Sequence, residues 1–283
     1  MNETARPWYH VAMTLIGLVI AIYVLFPIFW LVLASFKPDA EMSQLPISFW
    51  PVNPTLEAYT DLFTTGTQSS QLLNWPTLIT NSFIIAVSST ILVVVLATFA
   101  GYAFSRLKFP GRDLILGGLL ISRMFQGAAL LLPTYRLMNT LGLQDSLIGL
   151  ILLYSAFGLP FATWIIASSL REIPVELEES AMIDGASRFE RLRYVIIPHL
   201  MPLIVFVTLI HLMDSYRVFE EVVAFNAQSQ RISLQWLTYD FLQPDDSGTR
   251  AIGRASASSM LTLIGIVIIL IPVLRQTWRS HKT

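Results

Sequence analysis

The sequence predicts an all-α polytopic membrane protein with six transmembrane helices. Hydrophobic residues make up 54% of the 283 positions and charged residues only 13%, whereas a soluble domain carries about 25% charged residues. Six apolar stretches are each long enough to cross a hydrocarbon layer of about 30 Å, which takes roughly 20 helical residues. One charged, amphipathic segment separates the fourth stretch from the fifth. We therefore exclude an ordinary soluble domain and expect a single transmembrane domain over residues 1–283.

The six spans differ in where they carry charge. We place them at about residues 11–35, 80–102, 114–132, 146–170, 199–218 and 255–274. The first is too long for the hydrophobic region of a cleaved secretory signal, so we expect it to be a retained helix. The third contains Arg123, the fifth contains Asp214 and Arg217, and the other four contain no charged residue. A charge within a bilayer is costly, so these side chains should face the bundle interior, a partner or water.

The distribution of Lys and Arg predicts the orientation. With six spans both termini share one side, and eleven positive residues fall on that side: Arg6, Arg106, Lys108, Arg112, Arg171, Arg188, Arg191, Arg193, Arg275, Arg279 and Lys282. The opposite side holds six, spread over longer loops. The positive-inside rule therefore places both termini in the cytoplasm, which suits a bacterial inner (cytoplasmic) membrane. The net charge of −1 and the lack of a basic stripe exclude nucleic acid as a partner.

Catalytic and metal-binding motifs are missing from the sequence. The dipeptide Gly-Lys does not occur, which excludes a Walker A phosphate loop. The four histidines are scattered, no HExxH or GxSxG motif is present, and there is no cysteine. We therefore expect no catalytic residue, no metal site and no cofactor in this chain.

The amphipathic segment at residues 174–198 predicts a short helical hairpin on the cytoplasmic face. Pro174 is suited to the first turn of a helix, and Asp184-Gly185 is suited to a reversal of the chain. Ser187 and Glu190 have the spacing of a capping box, which begins the second helix. Pro198 should end the hairpin before the fifth span.

The hairpin resembles the EAA loop of ABC importer permeases, E-A-A-x3-G-x9-I-x-L-P. Glu179-Ser180-Ala181, Gly185 and Val195-Ile196-Ile197-Pro198 match its full spacing, with conservative departures at Ser180, Val195 and Ile197. A generic juxtamembrane hairpin is the alternative interpretation.

Further stretches resemble the maltose-type carbohydrate importers, and in particular their smaller six-helix permease. These stretches are residues 35–41, 54–59, 102–106, 109–112 and 173–187. One departure is the stretch 214–219, which is more similar to the larger partner permease.

The resemblance implies a type I ABC importer permease fold and half of a translocation pathway for a carbohydrate or related polar solute. It also implies a second permease subunit, two ATPase subunits that carry ATP and Mg, a periplasmic or lipid-anchored solute-binding protein, and surrounding lipid. The hairpin would transmit ATP-driven motion of the ATPases, with coupling residues Glu178, Glu179, Ala181, Asp184, Gly185, Arg188 and Pro198. Charges that merely solvate a membrane-edge helix are the alternative.

Polar residues within the spans are candidates for the solute path. Gln126 lies three residues after Arg123, and Asp214 lies three residues before Arg217, so each pair shares roughly one helical face. We expect Arg123 and Gln126 to approach Asp214 and Arg217 and to offer hydrogen bonds to a sugar. An ion pair that only locks helix packing is the alternative.

Two other classes of protein fit less well. An ion-driven secondary transporter would need isolated carboxylates at mid-membrane, and it would leave the hairpin without a role. A membrane-embedded enzyme would need a catalytic constellation that the sequence lacks. The sequence does not identify the solute or the partner subunits.

Overall fold

A computed structural model describes residues 7–44, 46–64, 75–125, 128–218, 222, 233–244 and 248–280. Across these residues the regular secondary structure is helical, and no strand is found in them. The expected all-α fold is confirmed. The helices are α1 (Pro7–Ser35), α2 (Asp39–Met42), α3 (Glu57–Thr64), α4 (Trp75–Arg106), α5 (Arg112–Ser122), α6 (Ala128–Thr140), α7 (Leu147–Glu172), α8 (Glu176–Ile183), α9 (Arg188–Arg191), α10 (Ile197–Tyr216), α11 (Leu234–Leu242) and α12 (Ile252–Ser280).

Five segments among the described residues are long and apolar enough to cross a membrane. They are Val11–Ser35, Thr77–Arg106, Leu147–Glu172, Arg188–Tyr216 and Ile252–Pro272. A sixth is formed only if the helical segments Arg112–Phe125 and Leu130–Thr140, which lie at 103° to each other, count as one broken span. The described residues therefore contain five or six candidate spans.

The third predicted span, residues 114–132, differs most from the structure. Instead of one straight helix, α5 ends at Ser122 and a tighter 3₁₀ turn covers Arg123–Phe125 before α6 begins at Ala128. The α-helix therefore stops at the single charged residue of the predicted span. Apolar composition alone does not reveal such a break.

The chain divides into two compact units, Met1–Trp75 with Leu237–Leu263, and Pro76–Trp236 with Ile264–Thr283. In the second unit, α4, α7 and α10 share a fully buried core that includes Ala97, Ile166 and Leu200. A Cβ on Gly101 would lie 2.6 Å from the Cγ2 atom of Ile166. Small residues therefore let α4 and α7 approach closely, which is how helices pack where lipid weakens the hydrophobic driving force.

The second arm of the predicted hairpin continues directly into α10. Residues Arg188–Tyr216 form one helical span, in which wider π-helical turns cover Leu192–Ile196 just before Pro198. Pro198 was expected to end the hairpin, and this expectation is wrong, since the proline lies in the first turn of α10. A widened turn accommodates a proline ring and its missing N–H, so the helix does not break.

In the first unit, the chain after α1 is tied to the start of α12. The Asp39 carboxylate accepts a hydrogen bond from the Gly253 N–H at 2.7 Å and pairs with Arg254 at 3.2 Å. A Cβ on Gly253 would lie 2.6 Å from the Lys37 carbonyl oxygen, so this close approach needs glycine.

Candidate functional site

The hairpin at residues 174–198 has the turn that the sequence predicts. α8 ends at Ile183, and Gly185 has a φ of +88°, a conformation that glycine adopts without strain. The Ala186 N–H donates to the Ala181 carbonyl oxygen at 2.9 Å, which closes the end of α8. The predicted capping box is confirmed, because the Glu190 N–H donates to the Ser187 hydroxyl and the Ser187 N–H donates to the Glu190 carboxylate.

Glu178 ties the first arm of the hairpin to the end of α4. Its carboxylate lies 2.6 Å from Arg106 Nε and accepts a hydrogen bond from the Tyr102 hydroxyl at 3.3 Å. Arg106 also donates to the Ile173 carbonyl oxygen at 3.1 Å, just before α8. The side chains of Arg106 and Glu178 are only 10% and 6% exposed.

This arrangement changes the role expected for Glu178. The sequence predicts that it contacts an ATPase, but its carboxylate is buried against partners in its own chain. The sequence analysis used Tyr102 and Arg106 for the resemblance, and Arg106 for the orientation, but no local signal connects them to a residue more than 70 positions away.

The tip of the hairpin is exposed and partly apolar. Met182, Phe189 and in particular Ile183, at 84% exposure, present large hydrophobic side chains to the outside. The expected coupling residues Glu179, Asp184, Gly185, Arg188 and Pro198 are exposed as well, and Ala181 is half-buried. Exposed apolar side chains bordered by charges are typical of a protein interaction site.

An open groove of about 500 Å³ lies beside the hairpin. It runs between the end of α7, the start of α8 and the start of α10, and it is lined by Ser169, Glu172, Ile173, Pro174, Leu177, His199, Leu200, Pro202 and Leu203. The groove borders the first arm of the hairpin and the start of α10.

The structure brings Arg123 and Asp214 together on the second unit. Arg123 Nη2 lies 3.9 Å from Asp214 Oδ2, and Nη1 donates to the Phe157 carbonyl oxygen at 3.1 Å. The guanidinium also lies over the Phe161 ring, 5.3 Å from its centre. Asp214 keeps 55% of its side chain exposed and Arg123 31%, so both have polar atoms available to a third group.

The other two path candidates are not in this contact. Arg217 follows the last residue of α10 and is exposed. Gln126 lies outside the described residues.

α7 supplies partners that the sequence reasoning missed. Pro160 interrupts the backbone hydrogen-bond ladder of α7 between the two residues that contact Arg123, Phe157 and Phe161. Gly158 leaves room for the buried ring of His211, because a Cβ there would lie 2.5 Å from that ring. The sequence signal available for these partners was the occurrence of Gly158 and Pro160, two positions apart, inside an apolar span.

Within the described part of the chain, no three His, Asp or Glu side chains cluster in a way that would hold a metal ion.

Comparisons with known proteins place this chain among transport permeases. No protein-family model matches it. It is 34% identical over 203 residues to the sulfoquinovosyl glycerol transport system permease protein SmoH of Agrobacterium fabrum, covering 72% of this chain and 69% of the relative. It is 29% identical over 274 residues to the diacetylchitobiose uptake system permease protein DasC of Streptomyces coelicolor, covering 96% and 93%.

A solved structure shares the fold. The crystal structure of a bacterial ABC transporter involved in the import of the acidic polysaccharide alginate contains a chain that matches with a TM-score of 0.72 at 22% identity. The match covers 98% of both chains. The helical arrangement is thus that of an ABC importer permease.

The chain belongs to the family of sugar ABC transporter permeases. Proteins of this family are membrane transport subunits, so the expectation that the chain is not an enzyme is confirmed.

Proposed function

We propose that this chain is one of two permease subunits of an ATP-driven importer that moves a carbohydrate or related polar solute across a bacterial inner membrane. Two cytoplasmic ATPase subunits carry ATP and Mg²⁺, and a periplasmic or lipid-anchored solute-binding protein delivers the solute. Both termini of this chain lie in the cytoplasm, in keeping with its Lys and Arg distribution.

One observation carries the coupling part of this proposal: the hairpin is attached to the membrane helices through both of its arms. The first arm is held to α4 by the buried pair of Arg106 and Glu178, and the second arm is continuous with α10. A push on the exposed tip therefore moves α4 and α10 as rigid bodies, which is the kind of motion that switches a transporter between states.

The chemistry of the tip supports docking on an ATPase. Met182, Ile183 and Phe189 offer apolar contact area, while Glu179, Asp184 and Arg188 surround them with charge. Apolar anchors with a polar rim are the usual composition of a protein interface. Gly185 lets the chain reverse between these anchors.

α1 supports the requirement for a partner permease and lipid. From Val11 to Phe29, nearly all of its residues are exposed in the described chain. A helix of this composition is stable only if lipid or another membrane subunit covers it.

Copurification with activity measurements tests the coupling proposal. The tagged protein is purified from its native membrane, the associated chains are identified by mass spectrometry, and ATP hydrolysis is assayed. We expect an ATPase and a second permease in the wild-type complex, and loss or uncoupling of the ATPase in Gly185→Asp. Gly111→Asp is a matched control, because Gly111 also has a positive φ, +78°, in a predicted cytoplasmic turn. A chain that purifies alone and transports in vesicles without ATP would indicate an ion-driven carrier.

For the solute path, we propose that Arg123 and Asp214 hydrogen-bond a sugar as it passes. Support comes from their exposed polar atoms, and from the aromatic ring of Phe161 beside them. Gln126 and Arg217 remain candidates for the same path. The carbohydrate class is supported by the transport systems of the relatives.

A charge-deletion cycle distinguishes solute contact from packing. Arg123→Met and Asp214→Leu are made singly and together, and assembly and sugar uptake are both measured. If the pair only locks the helices, the double variant removes both charges and regains assembly and uptake. If the pair contacts the solute, the double variant assembles but transports poorly. Unchanged transport and assembly in Arg123→Met would contradict both interpretations.

A further inference from the structure

The chain after α1 folds back along that helix instead of leaving the membrane directly. Residues 47–52, here called the aromatic loop, place Phe49 against three residues of α1. The Phe49 ring lies 6.1 Å from the ring of Phe26, 6.4 Å from that of Phe29 and 5.5 Å from that of Trp30, measured between ring centres. Trp50 packs edge-on against Phe29 at 5.9 Å.

These contacts define how far the aromatic loop lies from the midpoint of the α1 span. The span Val11–Ser35 has 25 residues, and its midpoint is Tyr23. At 1.5 Å per residue, Phe26 lies about 4.5 Å and Trp30 about 10.5 Å beyond that midpoint. The hydrocarbon layer extends roughly 15 Å to each side of the bilayer centre. The Phe49 ring is therefore level with residues that lie inside one leaflet.

The outward surface of the aromatic loop is apolar. Ile47 is 52% exposed, Trp50 62% and Val52 69%. These side chains continue the apolar surface of α1, whose residues from Val11 to Phe29 are nearly all exposed.

Two charged side chains, one buried and one half-buried, bind part of the polar backbone of the aromatic loop. The Lys37 ammonium, which is fully buried, donates to the carbonyl oxygen of Ser48. The Glu41 carboxylate accepts from the Ser48 hydroxyl at 2.7 Å and from the backbone N–H groups of Val52 and Asn53. Lys37 and Glu41 pair with each other at 3.7 Å. Protein partners of this kind lower the cost of placing irregular backbone at membrane depth.

We infer that the aromatic loop inserts into the lipid leaflet beside the carboxyl end of α1, where Phe49 and Trp50 anchor the depth of that helix. In the orientation of the proposed function this is the outer leaflet. Aromatic side chains favour the region near the boundary between hydrocarbon and headgroups, and the contacts with α1 place Phe49 and Trp50 on the hydrocarbon side of that boundary. The pair of Lys37 and Glu41 lowers the cost of insertion, because it binds the Ser48 carbonyl and the Val52 N–H, which lipid would leave without partners.

Site-directed spin labelling tests this insertion directly. The sequence has no cysteine, so Trp50→Cys and Val52→Cys each provide a single labelling site in the chain. The labelled chain is reconstituted in phospholipid vesicles with the subunits that copurify with it. Collision rates of the nitroxide with oxygen, which enriches in lipid, and with a water-soluble nickel chelate are then measured. Wild-type complex treated with the same label gives the background from the partners.

The expected result is an oxygen-to-nickel collision ratio above one at positions 50 and 52, equal to that of phospholipids labelled in the upper acyl chain. Glu57→Cys, on the exposed face of α3, is the aqueous control and should give a ratio below one. A ratio like that of Glu57→Cys at both loop positions would overturn the inference. Suppression of both collision rates would also overturn it, because another protein subunit would then cover the loop. If Trp50→Cys does not fold, Val52→Cys alone decides the question. None of these readings depends on ATP hydrolysis, so they are independent of the proposed function.

Discussion

Neutralising Glu178 is expected to detach the first arm of the hairpin from α4. In Glu178→Gln the side chain keeps its shape and still accepts one hydrogen bond, but the Arg106 guanidinium loses its counter-charge in a site where it is only 10% exposed. Removing one partner of a buried ion pair costs about 3–5 kcal/mol. We expect about 3 kcal/mol here because the amide oxygen remains an acceptor. This is a change of about 100-fold in the equilibrium between attached and detached arms.

Hydrogen exchange measures this detachment. A peptide that covers α8 should exchange its amide protons up to about 100-fold faster in Glu178→Gln, while a peptide from the middle of α7 should be unchanged. Glu179→Gln is the matched control, since it removes the same charge one residue away at an exposed position. Exposed substitutions of this kind usually change the free energy of unfolding by less than about 0.5 kcal/mol.

The two variants should also separate anchoring from docking. Glu178→Gln should retain ATPase binding but lose the link between ATP hydrolysis and transport, because the arm no longer moves α4. Glu179→Gln should leave exchange in α8 unchanged and weaken ATPase binding. Equal exchange of the α8 peptide in both variants and the wild type would refute the anchoring role of Glu178.

Two further predictions concern packing and pH. Gly158→Ala should lower the free energy of unfolding by about 1–3 kcal/mol, because the new methyl group forces the buried His211 ring to move. The control is Gly117→Ala, at a position with open space around it, which should instead stabilise its helix by about 0.5–1 kcal/mol. Equal melting temperatures of the two variants would contradict this reasoning. The hydrogen bond from Ser48, aided by the N–H groups of the aromatic loop, holds the pKa of Glu41 below its ordinary value of 4.5. A carboxyl group with a lowered pKa in the folded state stabilises that state above its ordinary pKa and loses this contribution as the pH falls through the lowered value. A spin label at position 52 should therefore become more mobile as the pH falls below 4.5, and the same label in Glu41→Gln should be mobile at every pH. A label whose mobility is the same at neutral pH and in strong acid would exclude the role of Glu41.

In the hairpin, features that depend on neighbouring residues were predicted from the sequence, and a contact between distant residues was not. Its turn at Gly185 and its capping box depend on residues a few positions apart, so both were predicted from neighbouring side chains. The anchoring of Glu178 by Arg106 joins residues 72 positions apart. Both residues are charged and lie at the edges of apolar segments, so their sequence contexts did not reveal which was buried.

For the solute-path candidates, the sequence likewise predicted one contact and missed others. Arg123 and Asp214 were expected to approach each other because charges within spans are costly, and they lie 3.9 Å apart. The contribution of α7 was missed, since the carbonyl of Phe157 and the ring of Phe161 look like ordinary components of an apolar span. The break after Ser122 was missed for a related reason, because hydropathy averages over the residues that interrupt a helix.

Composition and short-range spacing were sufficient to predict a helical membrane protein with a capped hairpin, and the resemblance of that hairpin to the EAA loop indicated a permease. These properties depend on the cost of placing polar groups in lipid and on contacts within one or two helical turns. Tertiary contacts alone decided that Glu178 faces inward, that the hairpin continues through Pro198 into α10, and that the aromatic loop lies along α1. Each of these depends on which distant segments meet, and a buried charge takes its role from the partner that compensates it.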